Sequence, residues 1–186
     1  MEKFEEYRQE ARQKLKNADH LVTMTYPMVK DSKLLLAAAE NLADALNLYV
    51  LTILAYERLA RRIPPFHEDR ESAFNSFVRD VVPRYKIGAP ETHSISEHAQ
   101  KHAPGKSQAV FDTNYIKLIT DFNELVRFHK DSAVEFNRKD KFVMASGSYK
   151  LMELSEGLLK DNLARARRFM EIIETIVSNP VSSEKR

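Results

Sequence analysis

Residues 42–54, LADALNLYVLTIL, decide the fold of this chain. Apolar side chains fill almost every position of this segment, so a helix formed there is apolar nearly all round. Such a helix needs neighbours on most of its sides, and the segment therefore predicts the central helix of a bundle. Asp31 or Ser32 offers an N-cap for it, and Pro64 and Pro65 follow its expected end near Arg61.

The rest of the chain shows helical periodicity on both sides of this segment. Apolar residues from Phe4 to Val22 recur at spacings of three and four, up to a stop expected at Pro27. The pattern predicts an all-α fold, a single bundle of four long helices plus one short helix, in one domain of residues 1–178 with a flexible tail, 179–186. The predicted helices cover residues 4–26, 31–61, 69–82, 112–136 and 148–178, with a long irregular segment near 83–110.

Two details complete the predicted architecture. Pro83 is expected to end the short helix, because proline lacks the N–H that continues a helical ladder. Residues 142–145, FVMA, favour a strand, but one short isolated strand cannot build a sheet, so no sheet is predicted.

Composition excludes several classes of protein. The chain carries 29 Lys and Arg against 27 Asp and Glu, a net charge of +2, which argues against strong non-specific binding of nucleic acid. It has no cysteine, which excludes disulfides, thiolate chemistry and cysteine zinc sites. The longest uncharged apolar stretch, 45–56, is shorter than the roughly 20 residues that span a bilayer. We expect a soluble, cytoplasmic protein with no membrane partner and no cofactor.

Residues 11–18, ARQKLKNA, followed by the alanine-rich second helix, resemble the HEPN superfamily. HEPN proteins are four- to five-helix domains whose first two long helices pair antiparallel. The resemblance implies RNA-directed roles, dimerisation through the bundle, or a substrate-binding partnership with a nucleotidyltransferase. Segments 25–31, 56–66 and 84–87 also look like a group of small archaeal helical proteins, for which no activity is assigned.

Catalytic HEPN ribonucleases carry an arginine followed four to six residues later by a histidine. Arg62 and His67 have this spacing, as does Arg61, so the resemblance implies a metal-independent ribonuclease as one alternative. Two features depart from the motif: the Pro64-Pro65 pair interrupts the helix, and Ile63 stands where a polar residue is normal. In the competing interpretation the arginines finish a helix, where cations favour the negative end of its dipole, and His67 is a surface loop residue.

A second alternative is metal binding in the irregular segment. His98 and His102 are four residues apart and share one face if that segment is helical, and His93 or Glu97 could supply a third ligand. We favour a solvated polar loop, because a metal site also needs residues that support its ligands.

Polar residues on the helices give weaker signals. Four cations on the last helix predict contact with an RNA backbone, although acidic neighbours at helical spacing favour a solvated charged face. These cations are Lys160, Arg165, Arg167 and Arg168. Glu40, Asp44 and Asn47 form one stripe on the central helix, where pairing with an arginine of another helix is expected. His129 lies on an apolar face and is expected to be a hydrogen-bonded core residue.

The leading hypothesis is a non-catalytic, HEPN-like interaction module that self-associates and binds a protein or RNA partner. The last two predicted helices carry more apolar side chains than one four-helix core needs. Burial in a thicker five-helix core is one explanation, but together with the HEPN resemblance the surplus predicts a homodimer. The side chains in question are Leu151, Leu154, Leu158, Phe169, Ile119 and Val126.

Overall fold

The computed structural model describes residues 2–88, 114–148 and 150–178. Its central element is helix α3 (Lys33–Leu59), in which Leu46, Val50 and Ile53 are buried, so the prediction of a central helix is confirmed. Within the described part of the chain, α3 is also the helix that is long and apolar enough to cross a membrane, with half of its most apolar window buried inside the protein. The predicted tail, 179–186, and most of the predicted irregular segment lie outside the described residues.

Helix α1 (Lys3–His20) runs antiparallel to α3 and buries Ala11, Leu15 and Ala18 against it. The direction follows from two contacts: the rings of Phe4 and Tyr56 lie 5.6 Å apart, whereas Lys14 Nζ lies 2.9 Å from a carboxylate oxygen of Asp44. The early part of α1 therefore meets the late part of α3.

Pro27 does not end the first helix, contrary to the prediction. A π-helical turn, Leu21–Thr25, joins α1 to helix α2 (Tyr26–Val29), and the N–H of Tyr26 bonds to the carbonyl of Leu21, five residues back. This wider turn moves aside the carbonyl that the ring of Pro27 would strike in a regular α-helix. The helix ends instead at Lys30, whose φ is 56°.

The same construction recurs at Pro83, which was also predicted as a stop. Helix α4 (Arg70–Ser76) begins at Asp69, whose carboxylate accepts a 2.9 Å bond from the N–H of Ser72. A second π-helical turn, Phe77–Val81, leads into helix α5 (Val82–Tyr85), and Pro83 lies inside it. Lys86, with a φ of 52°, ends this helix as Lys30 ends the first.

Two further helices pack on α3. Helix α6 (Tyr115–Lys130) begins at Asn114, whose side chain accepts a bond from the N–H of Lys117. Helix α7 (Glu156–Ser178) contacts α1, α3 and α6. Its core is an aromatic cluster, in which the ring of Phe169 meets Phe77 at 6.0 Å, edge to face, and Tyr115 at 5.5 Å.

The fold is mostly helical, as predicted, but it is not purely all-α. The structure contains a three-stranded antiparallel sheet, which comprises β1 (Ser132–Arg138), β2 (Lys141–Ser146) and β3 (Leu151–Ser155). Most of β1 and all of β3 fall in the ends of two predicted helices, whereas β2 lies between those helices. Residues 142–145 are not isolated, because they form the central strand of this sheet. The four-helix bundle of the prediction is therefore replaced by a helical body with a sheet attached.

Within the described part of the chain, one face of the sheet packs on the helices. Phe142, Met144 and Leu154 point inward and belong to the main core. Most of the apolar side chains that suggested a homodimer are buried in the fold of a single chain as well. These are Leu154, Phe169, Ile119 and Val126. Leu151 and Leu158, in contrast, are exposed.

Candidate functional site

The outer face of the sheet carries exposed apolar side chains. Because cross-strand partners share a face, Val134 and Phe136 of β1 lie on the same side as Leu151 of β3. Their exposed fractions are 56% for Val134, 42% for Phe136 and 55% for Leu151. Val143 of β2 lies between Phe136 and Glu153 on the same side, where its side chain is buried. We call this side of the sheet the outer face.

Among the residues that the structure describes, strand β1 lies at the edge of the sheet and pairs with β2 on one side only. Every residue of β1 from Ala133 to Arg138 is exposed. The strand has a bulge between Ser132 and Val134, after which its register with β2 is regular up to the hairpin. An edge of this kind offers unpaired backbone N–H and C=O groups to another strand.

The inner side of β1 is anchored to the helices. His129 Nδ1 of α6 lies 2.6 Å from Glu135 Oε1, and Nε2 of the same ring lies 3.6 Å from Glu40 Oε1 of α3. Ser132 Oγ also donates to Glu135 Oε1, at 2.9 Å. His129 is thus half-buried between two carboxylates, and the position of β1 is fixed from within.

The hairpin end of the sheet is anchored as well. The hydroxyl of Tyr26 donates to the carbonyl of Asp140 at 3.1 Å, and the hydroxyl of Ser32 bonds to the side chain of Asn137. Lys141 Nζ lies 2.6 Å from a carboxylate oxygen of Glu153, which holds the pKa of Glu153 below its usual range. The outer face is therefore apolar over most of its length and charged at the hairpin.

A second polar cluster lies where α3 ends. Glu57 is fully buried, and its Oε1 accepts bonds from Tyr85 Oη at 2.6 Å and from Arg62 Nη1 at 3.1 Å. Arg84 Nε lies 3.4 Å from Oε2 of the same carboxylate, and Arg84 Nη2 donates to the carbonyl of Arg62. Burial and the hydrogen bond to Glu57 raise the pKa of Tyr85 to about 12. The cluster ties the end of α3 to the end of α5.

The predicted catalytic pair is not assembled by these contacts. Arg62 is held by Glu57 and Tyr85, whereas His67 is exposed in the loop before α4. Neither Arg62 nor His67 lines the cleft described below. The ribonuclease alternative remains a prediction.

The arginines around Glu57 belong to a wider basic patch. Arg61 and Lys86 adjoin the cluster in sequence, and all four cations of the patch are exposed at the surface. We define the basic patch as Arg61, Arg62, Arg84 and Lys86. Glu57, the carboxylate that Arg62 and Arg84 contact, is buried, whereas the four cations lie at the surface.

The cations predicted on α7 have partners within the chain. Lys160 Nζ lies 2.7 Å from Glu156, and Arg167 Nη2 lies 2.5 Å from Asp19. Arg165 donates to the side chain of Asn162 and to the carbonyl of Asn114. Arg168 is half-buried. These pairs favour the charged-face interpretation of α7 over a built RNA site.

The stripe on α3 faces neighbouring helices, as expected. Asp44 pairs with Lys14 at 2.9 Å and with Arg70 at 3.1 Å. Asn47 Nδ2 donates to Asn123 Oδ1 at 2.7 Å. The predicted pairing with an arginine of another helix is confirmed for Asp44, and the pair with Lys14 is an additional one.

The predicted metal ligands His93, His98 and His102 lie outside the described residues. Within 2–88, 114–148 and 150–178, no three histidine or carboxylate side chains come close enough together to hold a metal ion. His129 contacts Glu40 and Glu135 through different ring nitrogens, so those two carboxylates lie on different sides of the ring.

A cleft of about 630 Å³ lies between α4 and α6. Its charged lining mixes three cations with two carboxylates, so it selects neither an anion nor a cation. These charged residues are Arg70, Arg127, Lys130, Glu71 and Glu124.

The sequence does not readily reveal strand β1, because Ala133 and Phe136 continue the helical spacing of α6. The signal that could have revealed it is the alternation of Val134, Phe136 and Arg138 with Glu135 and Asn137.

Compared with families of known proteins, with curated proteins and with solved structures, the chain gives no match.

Proposed function

We propose that this chain is a non-catalytic interaction module that self-associates through strand β1 and the outer face of its sheet. The observation that carries the proposal is that β1, a strand of seven residues, is exposed along its length and presents Val134 and Phe136 to solvent. Natural proteins usually protect such an edge, and exposed apolar groups of this kind mark interaction surfaces. The resemblance to HEPN domains, which dimerise, adds the same expectation.

The anchoring of β1 supports this proposal over a loosely attached strand. Glu135 is held from the inner side by His129 of α6, and Ser132 Oγ lies within hydrogen-bond distance of the carbonyl of His129. A strand that is already ordered loses little conformational entropy when a partner strand pairs with it, and preorganisation of this kind favours binding.

Light scattering tests the proposal over a concentration series from micromolar to millimolar. We expect the wild type to increase in mass with concentration and the Phe136→Lys variant to stay monomeric, because the new charge would be buried at the interface. The matched control is Leu59→Lys, since Leu59 has a similar exposure of 48%. It lies at the far end of α3, about 40 Å along the helix from Ser32, which contacts β1. A wild type that remains monomeric at millimolar concentration would refute the proposal.

The basic patch favours a second function, contact with the phosphate backbone of RNA. Arg61 and Lys86 are the residues to test, because Arg62 and Arg84 also hold Glu57 in place. For the double change Arg61→Gln and Lys86→Gln we expect weaker binding of single-stranded RNA. The slope of the logarithm of the binding constant against the logarithm of the salt concentration should also become shallower by about one for each lost contact. The matched control changes Arg127 and Lys130 of α6 to Gln. Equal binding by both double variants would exclude the basic patch.

A further inference from the structure

The hairpin between β1 and β2 determines which backbone groups of β1 are free. Arg138 pairs with Lys141 across a loop of two residues, Lys139 and Asp140. Residues that flank a two-residue loop exchange hydrogen bonds with each other, and such pairs alternate along an antiparallel ladder. Val134, Phe136 and Arg138 therefore direct their N–H and C=O groups towards β2. Glu135 and Asn137 direct theirs away from the sheet.

Symmetry restricts how a second copy can use these groups. When two identical edge strands pair antiparallel about a two-fold axis normal to the sheet, the outer face of one copy continues the outer face of the other. Residues that point outward must then face residues that point outward. Only registers that place one residue of β1 opposite itself on the axis satisfy this condition.

Strand β1 has seven residues, so seven registers of this kind exist, and six of them are unfavourable. With Glu135 on the axis, two carboxylates lie directly opposite each other, which is destabilising. With Asn137 or Arg138 on the axis, the ladder runs into Lys139, a turn residue with a φ of 58°. With residue 132, 133 or 134 on the axis, the ladder crosses the bulge between Ser132 and Val134.

The remaining register is favourable in each of these respects. We propose that two copies of this chain form a continuous six-stranded sheet in which their β1 strands pair antiparallel with Phe136 on the two-fold axis. This inference rests on the proposed self-association. The pairing joins Glu135 to Asn137 of the partner copy through backbone hydrogen bonds, twice by symmetry. The two Phe136 residues form the closer, non-hydrogen-bonded kind of pair, in which side chains contact most directly.

The flanking pairs fit the same register. Val134 lies opposite Arg138 of the partner copy, so that the methylene groups of the arginine cover an apolar side chain while its guanidinium stays in water. The ladder includes only residues 134–138 of each copy, so the interface is smaller than the standard size and the dimer belongs to the weak, transient class.

Disulfide trapping tests the register, because the chain contains no cysteine of its own. In the proposed dimer the Cα atoms of the two Phe136 residues are about 4.5 Å apart, within the range that a disulfide spans. We expect the Phe136→Cys variant to form a cross-linked dimer under mild oxidation. The matched control is Leu151→Cys, on the same face but on β3, where the two cysteines would be about 24 Å apart and should not cross-link.

A second trap keeps Phe136 in place. A mixture of the Val134→Cys and Arg138→Cys variants should cross-link to each other, and each variant alone should not. If the wild type self-associates but neither trap forms, the register is wrong while the proposed function stands. If the wild type does not self-associate at all, both are overturned.

Discussion

Truncation of Phe169 to alanine removes the centre of the contact between α7 and the rest of the helical body. The Phe169 ring is fully buried and packs against Phe77 and Tyr115, at 6.0 Å and 5.5 Å. An aromatic side chain buries roughly 150–250 Å². At about 25 cal/mol per Å² this area corresponds to about 4–6 kcal/mol, of which the remaining alanine methyl retains a part. We expect the free energy of unfolding to fall by about 3–5 kcal/mol, as for other buried phenylalanines.

Urea unfolding followed by circular dichroism measures this loss, with an unchanged dependence on urea concentration. The melting temperature should fall by about 6–20 °C in a protein of this size. The matched control is Phe136→Ala, the same chemical change at a side chain that is 42% exposed, for which we expect less than about 1 kcal/mol in dilute solution. A loss below about 1 kcal/mol for Phe169→Ala, or equal losses for both variants, would refute this assignment of the core.

Three further outcomes follow from the same contacts. Leu46→Ala on the central helix should lower the free energy of unfolding by about 2–5 kcal/mol in urea titrations, and a change below about half a kcal/mol would contradict the burial of Leu46. Because the pKa of Tyr85 is raised from 10 to about 12, the stability that it contributes is complete below pH 10 and is lost as the pH rises through 12. Glu57→Gln should lower the pKa of Tyr85 in a spectrophotometric titration, and an unchanged pKa would show that burial alone raises it. Hydrogen bonds from Arg8 and Arg12 outweigh burial and lower the pKa of Glu174, so its stabilising contribution is present above pH 4.5 and is lost as the pH falls through the lowered pKa. Thermal melts of Glu174→Gln should show a weaker acid dependence than those of the wild type.

The long helices could be predicted because their periodicity extends over many residues. The apolar stripe of α1 predicts a helix with one buried face, and the apolar side chains on nearly all sides of α3 predict a central helix. The burial of Ala11 and Leu46 agrees with these predictions. Asp69 could be recognised as the start of a helix because aspartate is a preferred N-cap residue. In the structure its carboxylate accepts a hydrogen bond from the backbone N–H of Ser72, three residues later.

The two prolines were misjudged for a physical reason. The rule that proline ends a helix assumes the α-helical bond from residue i to residue i−4. At Pro27 and Pro83 a preceding π-helical turn shifts the bonding to i−5 and accommodates the ring. Whether a π turn forms depends on packing around it, which the local sequence does not express.

The sheet was missed because the turn residue with a positive φ is not one of the usual types. Hairpins of two residues normally use Gly, Asn or Asp where φ is positive. Here Lys139 occupies that position with a φ of 58°. Because the sequence lacks a clear signal for this turn, the residues of β1 can be interpreted as a continuation of α6. The partners of Arg62 were equally hidden, because Tyr85 comes from a segment distant in sequence.

Symmetry decides whether the exposed β1 edge yields a dimer or a filament. If β1 pairs with the same strand of a second copy, both free β1 edges are used at once and the assembly closes at two chains. Pairing of β1 with β3 of another copy would instead leave one edge free at each end and allow growth without limit. The bulge before Val134 and the inward position of Glu135 leave one favourable register for the closed pairing. We therefore expect the mass measured by light scattering to reach a plateau at twice that of the chain. Continued growth with concentration would show that the edges pair head to tail.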